Sequence, residues 1–217
     1  CYCGSGLKYK KCHMQEDQAV EKERSLNERA GNFIRRDLLK FARDERFAEE
    51  FAKTLAFYWD GYYDPSNAEQ MSQPEALRFF DWFLFDHELP EGKRLIELYA
   101  EERMADLSTA QQKIAADWVH VGGGSLYELT AYEGQILQLR DYFTGEESEV
   151  YEAGGRGNVE LGELIITRLV PVSDRIELST TAAYLPAAEI TDVKDKIEAA
   201  KAAYLAEHPD ASHTEFM

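Results

Sequence analysis

HVGGGSLYELTAYE, residues 120–133, holds the sharpest change of pattern in the chain. Three consecutive glycines do not belong in a helix interior, where each costs about 1 kcal/mol relative to alanine. Beyond them apolar and polar residues alternate with the period of two that marks a strand with one buried face. Five short runs follow: SLYELTAYE (125–133), QILQLRDYF (135–143), ESEVYEA (147–153), GELIITRLVPV (162–172) and RIELSTTAAYL (175–185). The segments between them, EG, FTGEE, GGRGN and SD, are turn chemistry. Five short strands at this spacing predict a small, twisted antiparallel β-barrel of SH3-like or OB-like type.

Upstream of the glycines the period is helical. Phe33, Ile34, Leu38, Leu39, Phe41, Ala42, Phe47, Phe51, Leu55, Tyr58 and Trp59 recur at steps of three and four, which predicts one or two amphipathic helices. DGYYDPSN (60–67) breaks them with Gly61 and Pro65. Ser72 is placed to cap the next helix, with Pro74 in its first turn. LIELYAEERM (95–104) and STAQQKIAADWVH (108–120) continue the pattern. The expected class is therefore α+β: a knuckle at 1–13, a polar helix or linker at 14–31, a helical domain at 32–121, the barrel at 125–185 and a C-terminal helix at 186–207.

The chain opens with CYCGSGLKYKKCH, and all three of its cysteines stand in those thirteen residues. An odd number of thiols argues against a disulfide framework, whereas Cys1, Cys3, Cys12 and His13 in the arrangement C-x-C-x8-C-H suit a tetrahedral ion. Gly4 and Gly6 let the backbone turn after the first pair in a φ > 0 conformation that a Cβ would obstruct. Lys8, Lys10 and Lys11 offset the charge of three thiolates around a divalent ion and favour the thiolate form. Zinc is the expected metal, with iron as the alternative for a thiolate–histidine set.

These thirteen residues resemble the SEC-C motif, the small metal-binding unit at the C-terminus of the preprotein translocase ATPase and on many otherwise unrelated bacterial proteins. The shared pattern is C-x-C-G-S-G-x-K-x-K-x-C followed by His or Cys, and the resemblance makes Cys1, Cys3, Cys12 and His13 the ligands. Tyr2 stands where proline is common, at a position that is not a ligand. Such motifs have a few residues before the first cysteine, so a short segment is expected ahead of Cys1. More weakly, DWFLFDHELPEGKRLIELYAEE, LYEL, LRDYFTGEESEVYE and LGELIITRLVPV resemble a group of bacterial SEC-C proteins without settled function. The resemblance implies a docking module, with chaperone, ribosome or phospholipid surfaces as the implied partners.

The net charge is −17, and it is unevenly spread: +1 over residues 1–32, −7 over 33–125 and −11 over 126–217. So acidic a body repels phosphate and speaks against extended nucleic-acid binding. Only the knuckle, through Lys8, Lys10 and Lys11, is locally basic, which makes those lysines the expected partner-binding residues for a chaperone, ribosomal RNA or lipid head group. No run of apolar residues reaches the roughly 18 of a membrane span, and no apolar h-region follows a basic start. The chain reads as cytoplasmic.

Other polar clusters carry less. Asp81, Asp86, His87 and Glu88 lie close in sequence, but Asp86–Glu88 are consecutive and fan apart on a helix, so a solvated or capping role is expected. HVGGGS lacks the Gly-Lys-Ser/Thr ending of a P-loop and no strand leads into it, which leaves a hinge. YWDGYYDP (58–65) offers four aromatic residues for a groove or for the core. An adaptor displaying a metal knuckle is thus the leading expectation, and an enzyme or enzyme subunit with its active site in the helical or β region is the alternative.

Overall fold

The structure, a computed structural model, describes residues 3–6, 8–180, 182–185 and 187–209. Among the described residues six α-helices are present: α1 (Met14–Phe41), α2 (Ala48–Tyr58), α3 (Gln73–Phe85), α4 (Leu95–Arg103), α5 (Thr109–Val119) and α6 (Ala187–Glu207). Between α5 and α6 lie β1 (Ser125–Glu133), β2 (Ile136–Asp141), β3 (Glu147–Tyr151), β4 (Leu164–Thr167), β5 (Leu169–Val172), β6 (Arg175–Leu178) and β7 (Ala183–Leu185).

α1 runs unbroken through the polar segment into the apolar one. Its first half is rich in Glu, Lys, Arg and Gln, straight-chain residues that lose little freedom in a helix. Burial begins only at Ala30 and continues through Gly31, Ile34, Leu38 and Phe41. The turns from Met14 to Leu26 therefore stand off the core as a rod of about 20 Å, at a rise of 1.5 Å per residue. Gly31 is needed where it lies: a Cβ there would meet Val172 Cγ1 at 3.0 Å and Arg35 Nη1 at 3.3 Å. Its absence lets α1 settle against β5.

The cap expected for α3 is present. Ser72 Oγ accepts from the Glu75 amide at 3.4 Å, and Glu75 Oε2 accepts from the Ser72 amide at 2.7 Å, with Pro74 in the first turn. Phe79, Phe80, Phe83, Leu84 and Phe85 of the same helix are buried, and Phe51 of α2 packs edge-on to Phe79 and Phe83 with centroids 4.9 and 5.7 Å away. An aromatic cluster of this kind fixes helix orientation through ring geometry as well as buried area.

The β region departs from the expected barrel. It is a mixed sheet of order β5-β6-β3-β2-β1-β4-β7, curled into a half-barrel, with β7 a three-residue edge. All pairs are antiparallel except β3 with β6, which run parallel through Tyr151 and Glu177. Two sequence runs each make two strands. GELIITRLVPV breaks at Arg168 into β4, beside β1, and β5, which among the described residues pairs only with β6. RIELSTTAAYL breaks after Leu178 into β6 and β7. Among the described residues the edges β5 and β7 do not meet, so the barrel stays open. The physical cause of the first break is a charged side chain: Arg168 is 1% exposed and its guanidinium must find partners that lie off the sheet.

Helices and sheet share packing. Val170 and Val172 of β5 belong to the helical core cluster together with Ile34, Leu38, Ile114 and Trp118, and Trp118 Nε1 donates to the Pro171 carbonyl at 2.8 Å. A second cluster, Tyr127, Leu129, Leu137, Leu139, Val150, Ile165 and Leu178, fills the sheet's own interior. Gly122 and Gly123 are exposed, so a broad-specificity protease is expected to nick the chain there. The two pieces should nonetheless co-elute on gel filtration while separating on a denaturing gel, because β5 remains embedded among the helices. Dissociation of the nicked halves under native conditions would contradict this packing.

Candidate metal centre

The knuckle is built from two tight turns and a helix start. Gly4 and Gly6 have φ of 75° and 73°, and a Cβ at either would touch nothing within 4 Å. Glycine is required there for its left-handed backbone and not for space, as the sequence indicated. A 3₁₀ turn, Tyr9–Lys11, follows. The amides of Cys12 and His13 both donate to the Tyr9 carbonyl, at 3.1 and 3.2 Å, and the His13 carbonyl accepts from the Asp17 amide at 2.8 Å. Cys12 and His13 are thereby clamped at the N-terminus of α1.

Cys3 Sγ, Cys12 Sγ and a ring nitrogen of His13 all lie within 4.8 Å of one another. The two sulfurs are 3.5 Å apart. That is too far for a disulfide, and close to the roughly 3.8 Å that separates two thiolates each about 2.3 Å from one tetrahedral ion. Ser5 Oγ stands 3.2 Å from Cys12 Sγ. Hydrogen bonds from Ser5, helped by Cys12 and by His13, bring the Cys3 thiol down to about 7, so a large share is thiolate at neutral pH. The N-terminal end of the α1 dipole adds a favourable field for an anionic cluster. This is a donor set suited to a metal ion. Cys1, expected as the fourth ligand, lies outside the described residues. Lys8, Lys10 and Lys11 are exposed, at the end of the rod furthest from the acidic body.

The other clusters resolve differently. His87 and Glu88 go to different partners: His87 Nε2 meets Glu50 Oε1 at 2.9 Å while its ring stacks on Phe83, and the Glu88 backbone pairs with Arg94 in an isolated antiparallel β-bridge. Asp81 and Asp86, however, converge on Arg168, which the sequence reading missed. Arg168 Nε donates to Asp81 Oδ2 at 3.0 Å, Nη2 donates to Asp86 Oδ2 and Nη1 to the Gly122 carbonyl. Phe85 covers the guanidinium at 4.8 Å. Burial opposes the charge on Arg168, but the two carboxylates outweigh it and push its pKa up. A lone arginine inside the apolar run LIITRLVPV was the signal available. The Gly122–Gly124 run does not cradle an anion; its Gly122 carbonyl receives a cation. Of the YWDGYYDP aromatics, Tyr63 is buried and Tyr58 and Trp59 are half-buried against the core, while Tyr62 is 72% exposed.

The described helices include none long and apolar enough to cross a membrane. The SEC-C motif model matches residues 1–15, and the model of a family of unknown function (DUF7986) matches residues 28–208. No curated protein and no solved structure matches the chain.

Proposed function

The chain belongs to the DUF7986 family of unknown function, and we propose that it acts as a metal-dependent adaptor of the cytoplasm. In this reading a zinc ion held by Cys1, Cys3, Cys12 and His13 folds the SEC-C knuckle, and Lys8, Lys10 and Lys11 present it to an acidic partner: a chaperone, ribosomal RNA or a lipid surface. Zinc suits three thiolates and an imidazole in a closed tetrahedral set, and iron is the competing ion. The observation that carries the reading is the convergence of Cys3, Cys12 and His13 at the tip of a helix whose first turns are unburied.

Charge geometry supports docking by the tip alone. Residues 33–217 carry −18 and repel an anionic partner approaching the body, whereas a knuckle about 20 Å along α1 lies more than two Debye lengths of about 8 Å from the core at physiological salt. Replacing all three lysines by glutamine leaves the donor set in place. It is expected to weaken binding to RNA, anionic vesicles or captured partners about tenfold at physiological salt, in line with up to about 1 kcal/mol per exposed ion pair. Cys3→Ser should weaken it as well. Partner binding that is unchanged in both variants, measured by co-sedimentation and lysate capture at low and physiological salt, would refute the docking role.

A further inference from the structure

Two cavities meet behind the curled sheet. The larger, about 520 Å³, lies between α1, α3 and the inner face of the sheet; the smaller, about 170 Å³, lies between α3 and the break at Arg168. Ser179 and Thr180 line both. A volume of this size falls in the range of small-molecule sites. The larger chamber has an apolar wall made by Leu39, Leu77, Leu137, Val159, Ile165 and Leu178.

The polar part of the wall is short of donors. Glu177 is 8% exposed and Ser179 3% exposed. Glu177 Oε2 accepts from Arg35 at 2.8 Å, but Glu177 Oε1, Ser179 Oγ and, in the smaller chamber, Asp81 Oδ1 are buried without a hydrogen-bond partner among the described residues. Buried polar atoms without partners are costly, and two carboxylate oxygens and a hydroxyl left so in the walls of the two chambers suit a ligand that brings donors. Charge points the same way. Four arginines face five carboxylates across the two chambers, and one of those arginines, Arg156, is drawn toward Glu160 at 3.1 Å. The wall is therefore net negative, and one added cation balances it.

We propose that this cavity binds an aliphatic amine, with its methylene chain along Leu39, Leu77 and Ile165 and its ammonium donating to Glu177 and Ser179. An ammonium supplies three donors and one positive charge on a narrow apolar stem, which meets both deficits of the wall. A carboxylate ligand would add a sixth negative charge, and an alcohol would leave the charge unbalanced.

The test uses the full chain with hexylamine and 1,5-diaminopentane as probes, hexanoate and hexanol as comparisons, and titration calorimetry with thermal melting as readouts. Both amines should bind and raise the melting temperature with concentration, and hexanol and hexanoate should bind at least about tenfold more weakly, the worth of one charge-assisted hydrogen bond. Ser179→Val and Leu77→Phe, which fill the junction and the apolar wall, should each lose at least about tenfold in amine affinity. Amine binding that persists in a folded variant would mean adsorption to the acidic surface, and would overturn the proposal. So would hexanoate or hexanol binding as well as hexylamine, or no amine binding to the unaltered protein. The probe comparison decides the matter even where a variant does not fold.

Discussion

Arg168→Met is expected to destabilise the protein by about 3–5 kcal/mol, the largest loss from any single substitution considered for this chain. The guanidinium is 1% exposed, and its three nitrogens serve Asp81, Asp86 and the Gly122 carbonyl. Methionine fills much of the space and removes all three donors. Asp81, with its side chain 13% exposed, then keeps a charge in a largely dry site with neither oxygen partnered, since its Oδ1 has no partner even now. Asp86, at 31% side-chain exposure, recovers part of its hydration, so most of the cost falls on Asp81. Lysine is a poor substitute, because one ammonium cannot reproduce a planar fork aimed at three acceptors. The double substitution Asp81→Leu with Arg168→Met should recover a substantial part of the loss, because removing both charges removes the stranded one. Urea denaturation of the four proteins gives the cycle. A single-variant loss below about 1 kcal/mol would show that the ion pair contributes little more than an exposed one does.

The same residue explains where sequence reading stopped. The Ser72 cap of α3, the helical faces and the start of the β region at Ser125 follow from local rules: a hydroxyl ahead of the first turn, periodicity and glycine. Gly4 and Gly6 were legible for the same reason, since a positive φ is a property of one residue. Closure of the sheet was not local. LIITRLVPV reads as one continuous strand by propensity, and only the position of Asp81 on α3 and Asp86 at its C-cap, 87 and 82 residues away in sequence, makes Arg168 a break. Once β4 and β5 part company, β5 leaves with its valines for the helical core and β6 comes to lie parallel to β3. An antiparallel barrel inferred from five runs could not survive that long-range ion pair. In the knuckle the sequence motif and the geometry agree because donors nine or ten positions apart are joined by a turn that the glycines themselves specify. The larger cavity behind the sheet left no trace in sequence, being lined by residues from six separate elements, α1, α3, β2, β3, β4 and β6.

Cys3→Ser is expected to abolish stoichiometric metal binding while leaving the principal melting transition where it was. The first half of this follows from the donor set. Serine keeps the shape of the side chain but offers a neutral hydroxyl in place of a thiolate, and structural zinc sites derive apparent binding energies on the order of 10 kcal/mol at neutral pH from deprotonated ligands. With Cys3 gone, Cys12 and His13 are left at the helix start, while the loop through Ser5 loses its anchor. Elemental analysis after gel filtration should read about one zinc per chain for the unaltered protein and close to none for the variant. The second half follows from packing. Burial in α1 begins at Ala30, and the helical core joins α1 to α2–α5 and β5 through residues that lie wholly beyond that point. The turns between Met14 and Leu26 therefore transmit little of what happens at the knuckle, and the variant should lose order there without loosening the body. Circular dichroism melting separates the two effects. A variant that retains its metal would move the site away from Cys3. A large fall in the main transition would mean that the knuckle folds back onto the body, and that outcome would also remove the electrostatic argument for docking by the tip, because the lysines would then sit within the field of the acidic surface.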